Sequence, residues 1–174
     1  MLAIEHQLPG VAMALIESGM CAPDAADSRG RTAAHAAAAR GQQAVLERLG
    51  QVKAPTAVNF GARDREGQTP LHLAVTAGHA NAVTVLCRSF GVDLDATNSS
   101  GQTALYIAAK RNAAALVESL VRAGASINVA APDGRTPLHV AALSGATEVV
   151  RLLLRFDAKD GPLARDNKKR TPLQ

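Results

Sequence analysis

The stretch Asp64-Arg65-Glu66-Gly67-Gln68-Thr69-Pro70-Leu71-His72-Leu73-Ala74-Val75-Thr76-Ala77-Gly78 decides the fold. Gly67 and its polar neighbours mark a turn. Thr69 offers a hydroxyl to the unpaired N–H groups of a helix start, and Pro70 takes the first helical position, where its missing N–H costs nothing. Leu71, Ala74 and Val75 follow at i, i+3 and i+4 and define one apolar face. Gly78 ends the helix as a left-handed cap. A second helix is expected next, with Val83, Leu86 and Cys87 on its buried side, before Phe90-Gly91-Val92-Asp93 turns the chain.

The same chemistry returns along the chain. Thr136-Pro137-Leu138-His139 repeats the helix start in full, and weaker copies begin at Thr32, Thr103 and Thr171. Successive threonines stand 37, 34, 33 and 35 residues apart. A period near 33 with this motif predicts an all-α solenoid of stacked antiparallel helix pairs joined by hairpin-like turns. Gly41 and Gly145 share the cap position of Gly78, and Asn112, a residue that tolerates the left-handed conformation, stands there in the third unit. Second helices are carried by Val45, Leu46 and Leu49, by Leu116, Val117 and Leu120, and by Val149, Val150, Leu152 and Leu153. Each is too short to be stable alone, so stacking must complete its core. Leu71, Ala74, Leu86, Leu105, Ala108, Leu120, Leu138, Ala141 and Leu153 are the expected buried contacts between units.

The pattern Asp-x-x-Gly-x-Thr-Pro-Leu-His-x-Ala-Ala-x-x-Gly is met almost fully from Asp64 to Gly78. It is also met from Asp133 to Gly145, with Ala131 at the leading Asp position, and partly from Asp27 to Gly41 and from Asn98 to Asn112. On these four linked motifs the chain resembles the ankyrin-repeat family. The resemblance implies a partial repeat over 1–26, full repeats over 27–63, 64–97, 98–130 and 131–165, and the start of another over 166–174, all in one array. Residues Val11 to Gly19 then read as a second helix with its closing glycine, and Thr171 to Gln174 as the opening of a further motif. This is expected of a piece of a longer array. The long first spacing predicts a surface loop near Gln51 to Gly61, where Pro55 breaks any helix. A smaller loop is predicted near Lys159 to Leu163.

Composition fits. Hydrophobic residues make up 47% and charged residues 20%, enough to bury a core, and with 2% aromatics that core must be aliphatic. Cys21 and Cys87 lie far apart without metal-ligand spacing, so a disulfide framework is not expected and a reducing cytoplasmic or nuclear location is. The N-terminus lacks the basic segment of a signal peptide, and no apolar run is long enough for a membrane span. Charge is mildly basic at +4.

No phosphate-binding loop, nucleophile elbow or metalloprotease pattern is present, so no catalytic residue, cofactor or metal is assigned and the protein is read as a non-enzyme. His35, His72 and His139 form a column one repeat apart. The resemblance gives them a structural role at helix starts rather than a ligand role.

The family uses two rows for contact: the hairpin tips before each Thr and the exposed ends of first helices. The resemblance therefore implies partner contacts at Arg29, Arg31, Arg65, Glu66, Gln68, Ser99, Ser100, Gln102, Asp133 and Arg135 in the tips. At the helix ends it implies Arg40, Thr76, Lys110, Arg111 and Leu143. Basic residues outnumber Glu66 and Asp133, so a positive concave surface is expected. Its natural ligand is an acidic segment of another protein. One rival is a nucleic-acid groove, disfavoured because few aromatics are available to stack bases. Another is a partner-binding or autoinhibitory part of a larger enzyme, channel or ubiquitin-ligase adaptor. The scaffold itself is expected to be monomeric.

Overall fold

A computed structural model describes residues 24–51, 58–89, 91–156 and 161–174. Among these residues there are eight α-helices and no strand, only an isolated antiparallel bridge between Thr97 and Thr103. The chain divides into two compact units, Met1–Asp93 and Leu94–Gln174.

The first unit contains α1 (Ala33–Ala39), α2 (Gln43–Gly50), α3 (Pro70–Ala77) and α4 (Ala80–Arg88). α1 packs on α2 and α3, α3 on α4, and α2 on α4. The second contains α5 (Ala104–Lys110), α6 (Ala114–Arg122), α7 (Pro137–Leu143) and α8 (Thr147–Phe156), followed by a 3-10 turn over Gly161–Leu163. Here α5 packs on α6 and α7, α7 on α8, and α6 on α8. Among the described residues each unit thus holds two helix pairs laid side by side, and no helix exceeds ten residues. Helices so short depend on their neighbours for stability.

All nine residues expected in the core are buried, none more exposed than Leu138 at 3%. Three residues expected on buried faces are only half-buried: Cys87, Val150 and Leu152. On α8 the interior stripe is Val149 and Leu153, four residues apart, and each neighbour is rotated about 100° off that line. On α4, Val83 and Leu86 fill the interior and leave Cys87 at its edge, where partial burial still pushes the thiol up to about 11.

The expected left-handed positions are found at Gly41, Gly78 and Gly145, with φ of 66, 81 and 67°, and Asn112 takes the same conformation at 56°. α2 ends at Gly50 with Gln51 as its cap. The expected loop around Pro55 and the partial repeat at Val11 to Gly19 lie outside the described residues. Of the second expected loop, residues 159–160 lie outside the described residues, and Gly161–Leu163 form one 3-10 turn with Gly161 buried.

Candidate protein-interaction surface

Each hairpin tip is built by one acidic or amide side chain at its start. The Asp27 carboxylate accepts N–H bonds from Arg29 and Arg31, both at 2.8 Å. Asp64 accepts from Glu66 and Gln68, Asn98 from Ser100 and Gln102, and Asp166 from Lys168 and Arg170, all within 2.8–3.0 Å. Where Ala131 replaces that residue, Asp133 accepts from the Arg135 N–H instead, at 3.1 Å. The fourth tip residue is left-handed throughout: Gly30, Gly67, Gly101 and Gly134, then Lys169 at φ 62°. Lys169 there carries a strain that glycine would not. Lys169→Gly is therefore expected to raise the unfolding free energy by about 1 kcal/mol in a denaturant titration.

Tips also join laterally. The Arg65 N–H donates to the Arg29 carbonyl at 2.9 Å in the first unit. In the second, Asn167 donates its backbone N–H to Asp133 O at 3.0 Å and its side-chain amide to Pro132 O at 2.9 Å.

The histidines stitch helix starts together. Nδ1 of His35, His72 and His139 accepts the N–H of Thr32, Thr69 and Thr136 at 3.1–3.2 Å. With Nδ1 an acceptor, Nε2 carries the proton, and His35 donates it to the Gln68 carbonyl at 2.9 Å and His139 to the Arg170 carbonyl at 3.1 Å. Gln174 reproduces the first of these bonds with its side-chain oxygen, which accepts the Thr171 N–H at 3.1 Å. A protonated His35 would lose the Thr32 bond, and burial already lowers its pKa below the ordinary 6.5. The unfolded chain therefore takes up this proton more readily than the folded chain. Stability from this site is complete above about pH 6.5 and declines as pH falls through the depressed folded value. Urea midpoints should drop between pH 7.5 and pH 5.5, and His35→Gln, which keeps an acceptor but cannot titrate, should flatten that slope.

The electrostatics differ between the two contact rows. Among the tips, Arg31 pairs with Asp27 at 3.3 Å, and Arg170 with Asp166 at 2.7 Å. Arg135 lies 3.6 Å from Asp133 and 3.9 Å from Asp166. The Asp166 side chain is only 3% exposed, and the Arg170 guanidinium and surrounding N–H donors pull its carboxyl down to about 2. Sequence reasoning counted Glu66 and Asp133 against the tip arginines and missed Asp27, Asp64 and Asp166. The signal was present in the motif, whose leading Asp has two N–H groups and, where an arginine stands four residues on, a guanidinium to bind.

Arg29 and Arg65 remain exposed and, among the described residues, outside any ion pair, while Gln68 donates to Glu66 at 2.7 Å. These residues, with Ser28, Arg31 and Asp64, line a shallow depression of about 270 Å³ in the first unit. Ser99 and Ser100 are exposed and Gln102 half-buried in the second.

The first-helix ends present Arg40, Thr76, Lys110, Arg111 and Leu143, all exposed, Leu143 at 70%. Among the described residues none of these cations is in an ion pair. In the second unit a depression of about 310 Å³ is lined by Arg135 from a tip and Leu143 from a helix end, together with His139, Asp166, Arg170 and Leu173. Tip and helix-end rows therefore share a face there. The second helices form other surfaces: Arg88 lines a groove between α2 and α4, and Arg122 pairs with Glu118 at 2.7 Å. Among the described residues no group of His, Cys, Asp or Glu is arranged to hold a metal, and no helix is long and apolar enough to cross a membrane.

A family model for ankyrin repeats, in three copies, matches residues 51–131 and 112–174. The chain belongs to the ankyrin-repeat family. It is 32% identical over 124 residues to the human neurogenic locus notch homolog protein 1, covering 71% of this chain and 5% of that protein. It is 34% identical over 128 residues to the mouse B-cell lymphoma 3 protein homolog, covering 73% of this chain and 28% of that protein. The crystal structure of the ankyrin repeat domain of Bcl-3, described as a unique member of the IkappaB protein family, superimposes with a TM-score of 0.89. It is 33% identical and covers 99% of this chain and 74% of that one. The chain thus spans a small part of the length of these curated relatives. Ankyrin repeats are in general protein-interaction modules without catalytic function.

Proposed function

We propose that this chain is a non-catalytic adaptor that binds a segment of a partner protein along its hairpin tips and first-helix ends, in the cytoplasm or nucleus. The observation that carries the reading is the exposed positive charge on those rows that no described carboxylate pairs: Arg29 and Arg65 at tips, and Arg40, Lys110 and Arg111 at helix ends. An acidic segment supplies the carboxylates that arginine holds in bidentate geometry. A nucleic-acid ligand is less well served. Of the described aromatics, Phe60 and Tyr106 are buried and Phe156 sits on a second helix, so neither row offers a base a ring to stack on.

The test is charge reversal against a peptide selected for binding to the chain. Arg65→Glu with Arg111→Glu should weaken binding by about 1.5–3 kcal/mol per broken contact, and Arg88→Glu with Arg122→Glu by less than about 1. Binding should also weaken with added salt. Equal losses from both pairs would mean a diffuse field and would end the proposal.

A further inference from the structure

The row of first-helix ends in the second unit has a more specific reading, which rests on the protein-binding function just proposed. We propose that Lys110, Arg111 and Leu143 form a two-part receptor for a short extended motif. In that motif a carboxylate and an apolar side chain stand three residues apart.

Lys110 follows Thr103 by seven residues and Leu143 follows Thr136 by seven, so the two occupy the same position on α5 and α7. The left-handed residues Asn112 and Gly145 come two positions later in both, which fixes the register. α5 and α7 pack directly on one another, and packed helices lie about 8–10 Å apart. A polyproline-type segment rises about 3.1 Å per residue with three residues per turn, so positions i and i+3 fall on one side about 9 Å apart. That spacing matches the step from the cationic end of α5 to the apolar end of α7.

The charge distribution picks this row over the tips. Arg135 shares the depression with Leu143, but Asp133 and Asp166 already engage it. Lys110 and Arg111 are exposed, and among the described residues neither is in an ion pair. Leu143 is the departure that needs an occupant. The same position holds Ala39, Thr76 and Lys110 elsewhere, and a leucine left 70% exposed there offers an apolar anchor beside the cations. Cations also suit a helix C-terminus on their own account, so a stability readout must accompany binding.

The experiment is selection of a random dodecapeptide display library on the full 174-residue chain. Enriched peptides should carry Asp or Glu three residues from Leu, Ile, Met or Phe. A synthetic peptide of that kind should lose at least about tenfold in affinity to Lys110→Glu with Arg111→Glu, and about as much to Leu143→Ser. It should lose less than about twofold to Arg88→Glu, a change on another surface. Circular dichroism melts establish that the variants fold, and the milder Lys110→Gln gives the same direction should the double reversal not fold. Enriched peptides lacking the pairing, or binding that ignores these variants, would overturn the motif while leaving a protein-binding array in place. Binding of polyuridylate through the same residues would overturn it in favour of nucleic acid. Failure to enrich any peptide would overturn the parent reading and this one together.

Discussion

Leu105→Ala will lower the unfolding free energy by about 2–5 kcal/mol in a urea titration. Leu105 has no exposed surface and sits on α5, which packs against both α6 and α7. Truncation removes the transfer energy of the lost carbons and leaves a void that seven-residue helices bonded at both ends cannot close freely. In a fold assembled from helices of seven to ten residues, such a loss is a large part of the whole. A change below half a kilocalorie would mean that Leu105 is not between packed helices.

Gly101→Ala is the second large effect, at about 3 kcal/mol. Gly101 has φ of 69°, and a Cβ there would lie 2.5 Å from Pro132 Cγ. Two costs therefore add: the left-handed conformation, about 1–2 kcal/mol, and overpacking against a ring that cannot rotate away, about 1–3. Gly78→Ala separates them, since Gly78 has φ of 81° with nothing within 4 Å of the added carbon. It should cost only about 1 kcal/mol. Equal losses at the two glycines would show that the neighbouring tip does not press on Gly101.

Much of this architecture is legible in the sequence because its rules are local. Thr69, Pro70 and Gly78 act within one helix, and the period repeats the statement often enough to fix the register at Asn112, where glycine is missing. The second helices were read less sharply. On α8 four aliphatic residues invite burial, yet a ten-residue helix has one interior line, and Val150 and Leu152 fall beside it. The contact surface was half legible. Which positions are exposed follows from the period, but which arginines are free does not, because Asp27 and Asp166 meet theirs through turn geometry that a list of charges does not display. Arg31 and Arg135 were grouped with Arg65 and Arg111, and the turns separate them.

Recognition of a partner segment on the tips and first-helix ends is open to amide NMR of the isotope-labelled chain, titrated with a peptide selected for binding. Shifts concentrated at Arg29, Arg65, Lys110, Arg111 and Leu143, with α4 and α6 near Arg88 and Arg122 unmoved, are the predicted result. Shifts concentrated along α4 and α6, with those five residues unmoved, would contradict it.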